Sequence, residues 1–249
     1  MIYKGDIDFD VILTELKKDQ TRKVRTKNVD ILDRYQNKYF NKYKTDQQRL
    51  LWDTKNNMTC GFFVSQRYID FSLVKSFIDV GCGTGNYFNE ILSKYKKIKT
   101  VVGVDAVPNF IEISKEKNKE FDITYVNDNI FNIPKNKQIE SYDLCTCNGV
   151  LQTLDLNSIF DVFRVLSNVT NSGGGQLWVT ALNYYKLMHH YWSSDNRRFV
   201  GLWKYKFEEL IYYIKDDFHD IQYGFYNPDA TMENDKTKAD FVFVHATKN

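Results

Sequence analysis

Proline and paired cysteine are both scarce: the 249 residues include three prolines, and the four cysteines (Cys60, Cys82, Cys145 and Cys147) form no C-x-x-C pair. That spacing excludes the common zinc and dithiol redox motifs, so no metal and reduced thiols are expected. No apolar run approaches the roughly 20 residues needed to cross a bilayer. The opening stretch MIYKGDIDFDVIL carries acids where a secretory signal carries a basic region, so a cytoplasmic protein with no membrane partner is expected. An excess of one charge is also missing. Lys and Arg number 34 against 32 Asp and Glu, a formal net charge of +2, which argues against nucleic acid as the partner. The basic run Lys17, Lys18, Arg22, Lys23, Arg25, Lys27 could touch phosphate, but it fits a solvated face better. What is present is a globular composition, 43% hydrophobic and 16% aromatic, in a length suited to one domain with a modest extension.

Within residues 1–75, the stretch 8–75 shows no glycine loop and no strand alternation. DVILTELKKD, NVDILDRYQNKYF and QQRLLW repeat their apolar residues near 3.6, which predicts a helical N-terminal extension or cap. From residue 76 onward strand and helix patterns alternate. SFIDV, KTVVGVD, DITYV, SYDLCTC and QLWVTAL read as buried strands. NYFNEILSKYKK, PNFIEISKEKNKE with Pro108 in its first turn, and SIFDVFRVLSNVT read as the helices between them. Parallel neighbours need crossovers, so this order predicts an α/β, Rossmann-like, mostly parallel sheet over 76–249 with helices on both faces. KFEELIYYIKDDF is a further helix. FHDIQYGFYN and KADFVFVHAT would close a seven-stranded sheet as an antiparallel C-terminal pair. An irregular stretch, 183–205, interrupts the pattern where a lid over an acceptor could lie.

Chemistry concentrates in FIDVGCGTGNYF, residues 77–88. Glycines at alternate positions, Gly81, Gly83 and Gly85, let the backbone approach a ligand that any Cβ would meet. The form is D-x-G-x-G-x-G, and the Asp79 carboxylate ahead of it disfavours a pyrophosphate and suits an ammonium group. About 20 residues further on, Asp105 ends the second strand, where an acid can accept both ribose hydroxyls; its alternative is a cap for the helix begun by Pro108.

These segments resemble class I SAM-dependent methyltransferases of the small-molecule type, most clearly over 76–182. The resemblance implies S-adenosyl-L-methionine (SAM) as cofactor and S-adenosyl-L-homocysteine (SAH) as product. Asp79, Gly81, Cys82, Gly83 and Gly85 would form the cofactor loop, and Asp105 and Ala106, with Val107, would hold ribose and adenine. In YVNDNIFNIP the family commonly has an acid where Asn129 stands, so either Asn129 or Asp128, beside Ile130, would meet the adenine amino group. Cys147, Asn148 and Gly149 would face the methionine part and the acceptor; a plain strand end with a turn is the alternative. Trp52 and Lys55 match a segment seen before the glycine loop in some relatives, but Gly61 replaces its arginine.

The implied reaction is an in-line displacement on the sulfonium methyl, in which the protein aligns and desolvates. His189 and His190, beside Tyr184, Tyr185, Tyr191 and Trp192, are the candidate bases, with Tyr184 as a further catalytic candidate; one histidine packed and one solvated is the alternative. Arg197 and Arg198 could hold an anionic acceptor or simply be exposed. His219 and His245 are expected to be structural. The expected function is methylation of an oxygen or nitrogen on a small-molecule acceptor, by a monomer or homodimer. The alternatives are an RNA or protein methyltransferase and a non-catalytic SAM-binding regulator.

Overall fold

The computed structural model describes residues 1–5, 7–18, 59–136, 139–154, 158–185, 204–227 and 229–249. In chain order the described elements are α1 (Phe9–Lys18), α2 (Thr59–Ser65), β1 (Ser76–Val80), α3 (Asn86–Lys94), β2 (Thr100–Asp105), α4 (Pro108–Lys117) and β3 (Thr124–Asn127). They continue with β4 (Leu144–Asn148), α5 (Ile159–Asn168), β5 (Gln176–Leu182), α6 (Phe207–Ile214), β6 (Phe218–Tyr226), β7 (Met232–Glu233) and β8 (Phe241–Lys248). Short 3₁₀ turns, Ile130–Lys135 and Leu151–Thr153, follow β3 and β4.

The strands form one sheet in the order β3-β2-β1-β4-β5-β8-β6-β7. β1 to β5 pair in parallel, and β8 enters antiparallel between β5 and β6. The parallel strands are apolar on both faces because both are covered: β5, QLWVTAL, is buried at every position. The alternation sorts side chains into two cores. Ile78, Val80, Cys145, Cys147, Val179 and Val244 join α5 and α6 on one side. Phe77, Leu144, Trp178 and Phe243 join α2 and α3 on the other. The direction of building reverses between β1 and β4, and such a reversal opens a crevice at the carboxyl ends of the strands.

Two expectations change in detail. The sheet has eight strands rather than seven, because the connection expected to be a plain hairpin lays Met232–Glu233 against Phe225 and Tyr226 as an edge strand. The N-terminal segment is more than a helical cap: Tyr3 N donates to Ile221 O and Tyr223 N to Met1 O, so residues 1–3 pair along β6. Helix α1 packs on α6, with Phe9 against Tyr212. Residues 19–58, including Trp52 and Lys55, lie outside the described residues. No described helix is long and apolar enough to cross a membrane.

Candidate active site

The carboxyl ends of β1, β2, β3, β4 and β5 carry the predicted residues. Asp79, one residue from the end of β1, is 1% exposed. It accepts the Thr146 hydroxyl at 2.6 Å, and the Asn148 side chain favours its charged form. Burial, aided by the nearby Asp105 charge, pushes its carboxyl up to about 7 against the opposing influence of Thr146 and Asn148. No cation lies within ion-pair distance of Asp79 among the described residues. Beyond it, Gly81 N and Cys82 N both donate to Val104 O, turning the loop back over β2. At Gly85 an added Cβ would fall 2.0 Å from Ser114 Oγ, so this glycine permits close helix packing. Gly83 differs. Its φ is +55° and a Cβ there would meet nothing within 4 Å, so it faces the open side of the loop. The Cys82 thiol is buried and raised well above its ordinary range by burial, which keeps it protonated as a packing group.

Asp105 is tied to the backbone through both of its oxygens. Its Oδ1 accepts Val107 N at 2.8 Å, bracing the entry to α4, and its Oδ2 accepts Gly83 N at 2.9 Å, tying β2 to the glycine loop. Each oxygen spends one lone pair, so both retain capacity for a diol. Burial raises this acid to about 6, opposed by the same two bonds. Ala106 is partly exposed and Val107 buried beside it. Replacing Asp105 by Ala removes the loop tether and the diol acceptor together. SAH affinity should fall by about 1–3 kcal/mol in a calorimetric titration, and an unchanged affinity would move the ribose elsewhere.

At the end of β3, Asn129 Oδ1 is used to cap the 3₁₀ turn, accepting Phe131 N at 3.1 Å. Asp128 Oδ1 accepts Asn129 N and Asn132 Nδ2, while its Oδ2 carries no hydrogen bond among the described residues. Ile130 is buried. The alternation of β4 separates the other three predicted residues: Cys147 is fully buried in the core beneath α5, Asn148 lies on the Asp79 side, and Gly149 N turns to Thr180 O.

Tyr184 follows β5 at this same edge, half-buried, with its N–H on Tyr205 O. The Tyr205 hydroxyl donates to Leu151 O at 2.8 Å, joining the base of the 183–205 insertion to the loop after β4. His189, His190, Tyr191, Trp192, Arg197 and Arg198 lie outside the described residues. His219 is exposed beside Asp220, and His245 is buried, held by burial down at about 4 with Nε2 against Gln176. Both lie in strands, His219 in β6 and His245 in β8. Among the described residues no group of His, Cys, Asp and Glu could hold a metal ion.

Sequence patterns missed Thr146 and Trp178, which complete the Asp79 network: Trp178 Nε1 donates to Asn148 Oδ1 at 3.0 Å. A tryptophan inside a buried strand was the available signal, because a buried indole N–H needs an acceptor. Gly61 has a packing reason in place of the missing arginine: a Cβ there would fall 2.9 Å from Tyr87 Oη and 3.3 Å from Tyr226 Oη.

A family model described as "Methyltransferase domain" matches residues 77–174, the span that carries the glycine loop, Asp105, Asp128 and Asn148. Over residues 77–174 the chain is thus similar to methyltransferase domains. No curated protein matches the sequence. Among solved structures, the methyltransferase fold is shared with the N-methyltransferase NodS from Bradyrhizobium japonicum WM9 in complex with SAH. That chain is 15% identical, with 88% of this chain and 99% of that one covered and a TM-score of 0.59. The methyltransferase domain of bacterial CtHen1 is 19% identical (78% and 98% covered, TM-score 0.60). A SAM-dependent methyltransferase from Archaeoglobus fulgidus is 15% identical (80% and 99% covered, TM-score 0.58). The residues present fit the cofactor: an open-sided glycine, a buried acid with no cation beside it among the described residues, and a second acid with spare lone pairs at the next strand end.

Proposed function

We propose that this methyltransferase modifies an oxygen or nitrogen of a small-molecule acceptor. Bound SAM supplies an electrophilic methyl group on its sulfonium. In this reading Asp79 holds the ammonium of the amino-acid tail, Asp105 the ribose diol and the spare Oδ2 of Asp128 the adenine amino group. Gly83 leaves the loop open to the ligand, while Cys147, on the far face, contributes packing alone. Asn148, Gly149 and Ile130 border the same crevice. The observation that carries the acceptor reading is the Tyr205–Leu151 bond, because it draws Asn183–Tyr185 and the loop after β4 into one wall beside Asn148. Such a wall suits a compact acceptor that passes Tyr184. The name of NodS, an N-methyltransferase, is in keeping with nitrogen as the target.

A second reading has one feature in its favour. Lys204 and Lys206 lie over the Tyr184 ring and Lys236 over the Tyr185 ring, a cationic edge that a polyanion such as RNA could use. Incubating the enzyme with methyl-deuterated SAM and separated metabolite, RNA and protein fractions of a cell extract decides between them. Label in the metabolite fraction is expected, and label confined to RNA or protein would overturn the proposal. His189 and His190 remain the proposed bases. Replacing one of them by Ala should lower turnover on the identified acceptor and abolish its acidic limb with SAH affinity unchanged. Full turnover in both variants would end that assignment and leave alignment, or Tyr184, to account for the rate.

A further inference from the structure

We propose that Trp178 is a positioning residue for the cofactor's amino-acid tail: its indole N–H fixes the Asn148 amide so that Asn148, together with Thr146, holds the Asp79 carboxylate. The inference rests on the reading of Asp79 given above. An indole nitrogen can only donate, so the atom of Asn148 that meets Trp178 Nε1 at 3.0 Å must be the carbonyl oxygen. The NH₂ end is thereby left for Asp79, which sits opposite Thr146, two residues before Asn148 on the same face of β4; Asn148 favours the charged form of that acid, and the Thr146 hydroxyl donates to its Oδ1 at 2.6 Å. All four side chains are buried: Asp79 and Trp178 are 1% exposed, Thr146 and Asn148 5%.

The indole has little freedom to shift. It is stacked on Phe243 with ring centroids 4.7 Å apart and meets the Tyr68 ring, tilted by 34°, at 6.1 Å. Two neutral donors orient the carboxylate without cancelling its charge, which is the condition under which it can still attract a ligand ammonium. Without the indole N–H, the amide is free to turn its oxygen toward Asp79, and oxygen facing carboxylate is repulsive. Three strands therefore cooperate at one acid: β1 supplies it, β4 supplies its donors, and β5 fixes which way one donor points.

The test compares SAH with 5′-methylthioadenosine, which keeps the adenosine and lacks the amino-acid tail. In calorimetric titrations Trp178→Phe, which preserves an aromatic ring on Phe243 but removes the N–H, should weaken SAH about tenfold and leave methylthioadenosine within about twofold. Asn148→Asp, which keeps an acceptor for Trp178 but replaces the donor to Asp79 by a second acid, should show the same selective loss. Methylthioadenosine binding by each variant also reports that it has folded. Equal losses for both ligands would make Trp178 a packing residue and overturn the proposal, as would unchanged SAH affinity in both variants. Failure of the wild-type protein to bind either ligand would overturn the cofactor reading itself.

Discussion

Gly83→Val should eliminate measurable SAH binding, a loss of about 10³-fold or more, while the protein still melts cooperatively. The residue sits at φ +55° with open space where its side chain would begin, and its N–H is bonded to Asp105. A β-branched side chain there would fill the side of the loop from which the cofactor approaches. It also strains the backbone, since left-handed φ values cost an ordinary residue about 1–2 kcal/mol. Gly173→Val separates these two effects. Gly173 also has a left-handed φ, +76°, and open surroundings, but it lies in the turn before β5, at the opposite end of the sheet. That variant should lower the melting temperature and leave SAH affinity unchanged. If Gly83→Val bound SAH within tenfold of wild type, the glycine loop would not be the cradle.

Asp79→Asn should weaken SAH by about 10²-fold, corresponding to roughly 3 kcal/mol for removing one partner of a buried charge pair. The same change should stabilise the ligand-free protein above neutral pH. Burial raises the Asp79 carboxyl from 3.8 to about 7, so folding favours its protonated form. Its contribution to stability is fully present below pH 4 and is lost as pH rises through 7. Asp105, raised to about 6, acts in the same direction, and the Cys82 thiol beside both stays protonated throughout. The melting temperature of ligand-free wild type should therefore fall between pH 5 and 8, and the fall should be smaller in Asp79→Asn. If Asp79 holds the SAH ammonium it does so as the ionised acid, so wild-type affinity should rise over the same interval and level off above it. A flat affinity profile from pH 5.5 to 8.5 would remove Asp79 from the ammonium site.

Local rules carried most of the fold into the sequence. SFIDV and QLWVTAL match β1 and β5 residue for residue, because short apolar runs bounded by glycine have few other uses. Pro108 marked the start of α4. The glycine loop and Asp105 were legible for a similar reason: their chemistry depends on neighbours close in sequence. The Asp79 network was not, since Thr146 and Trp178 reach Asp79 only through strand register, Asp79 opposite Thr146 and Thr146 opposite Trp178. Register follows from tertiary pairing, which one strand's pattern does not encode. The proposed preference for Asp128 over Asn129 likewise rests on a local competition, in which Asn129 gives its oxygen to the 3₁₀ turn. The edge strand β7 has two residues and no alternation to detect.

The place of β8 bears on how the chain is made. Its partners, β5 and β6, precede it in sequence, yet it separates them, pairing from Gln176↔Thr247 to Leu182↔Phe241 on one side and from Phe218↔Lys248 to Tyr226↔Phe241 on the other. During synthesis from the N-terminus, β5 and β6 must wait with open ladders until residues 241–248 have left the ribosome. Strand edges exposed in that interval are sites of mispairing between nascent chains. A ribosome-stalled product ending before residue 241 should accordingly recruit chaperones and aggregate, although it contains every residue assigned to the cofactor.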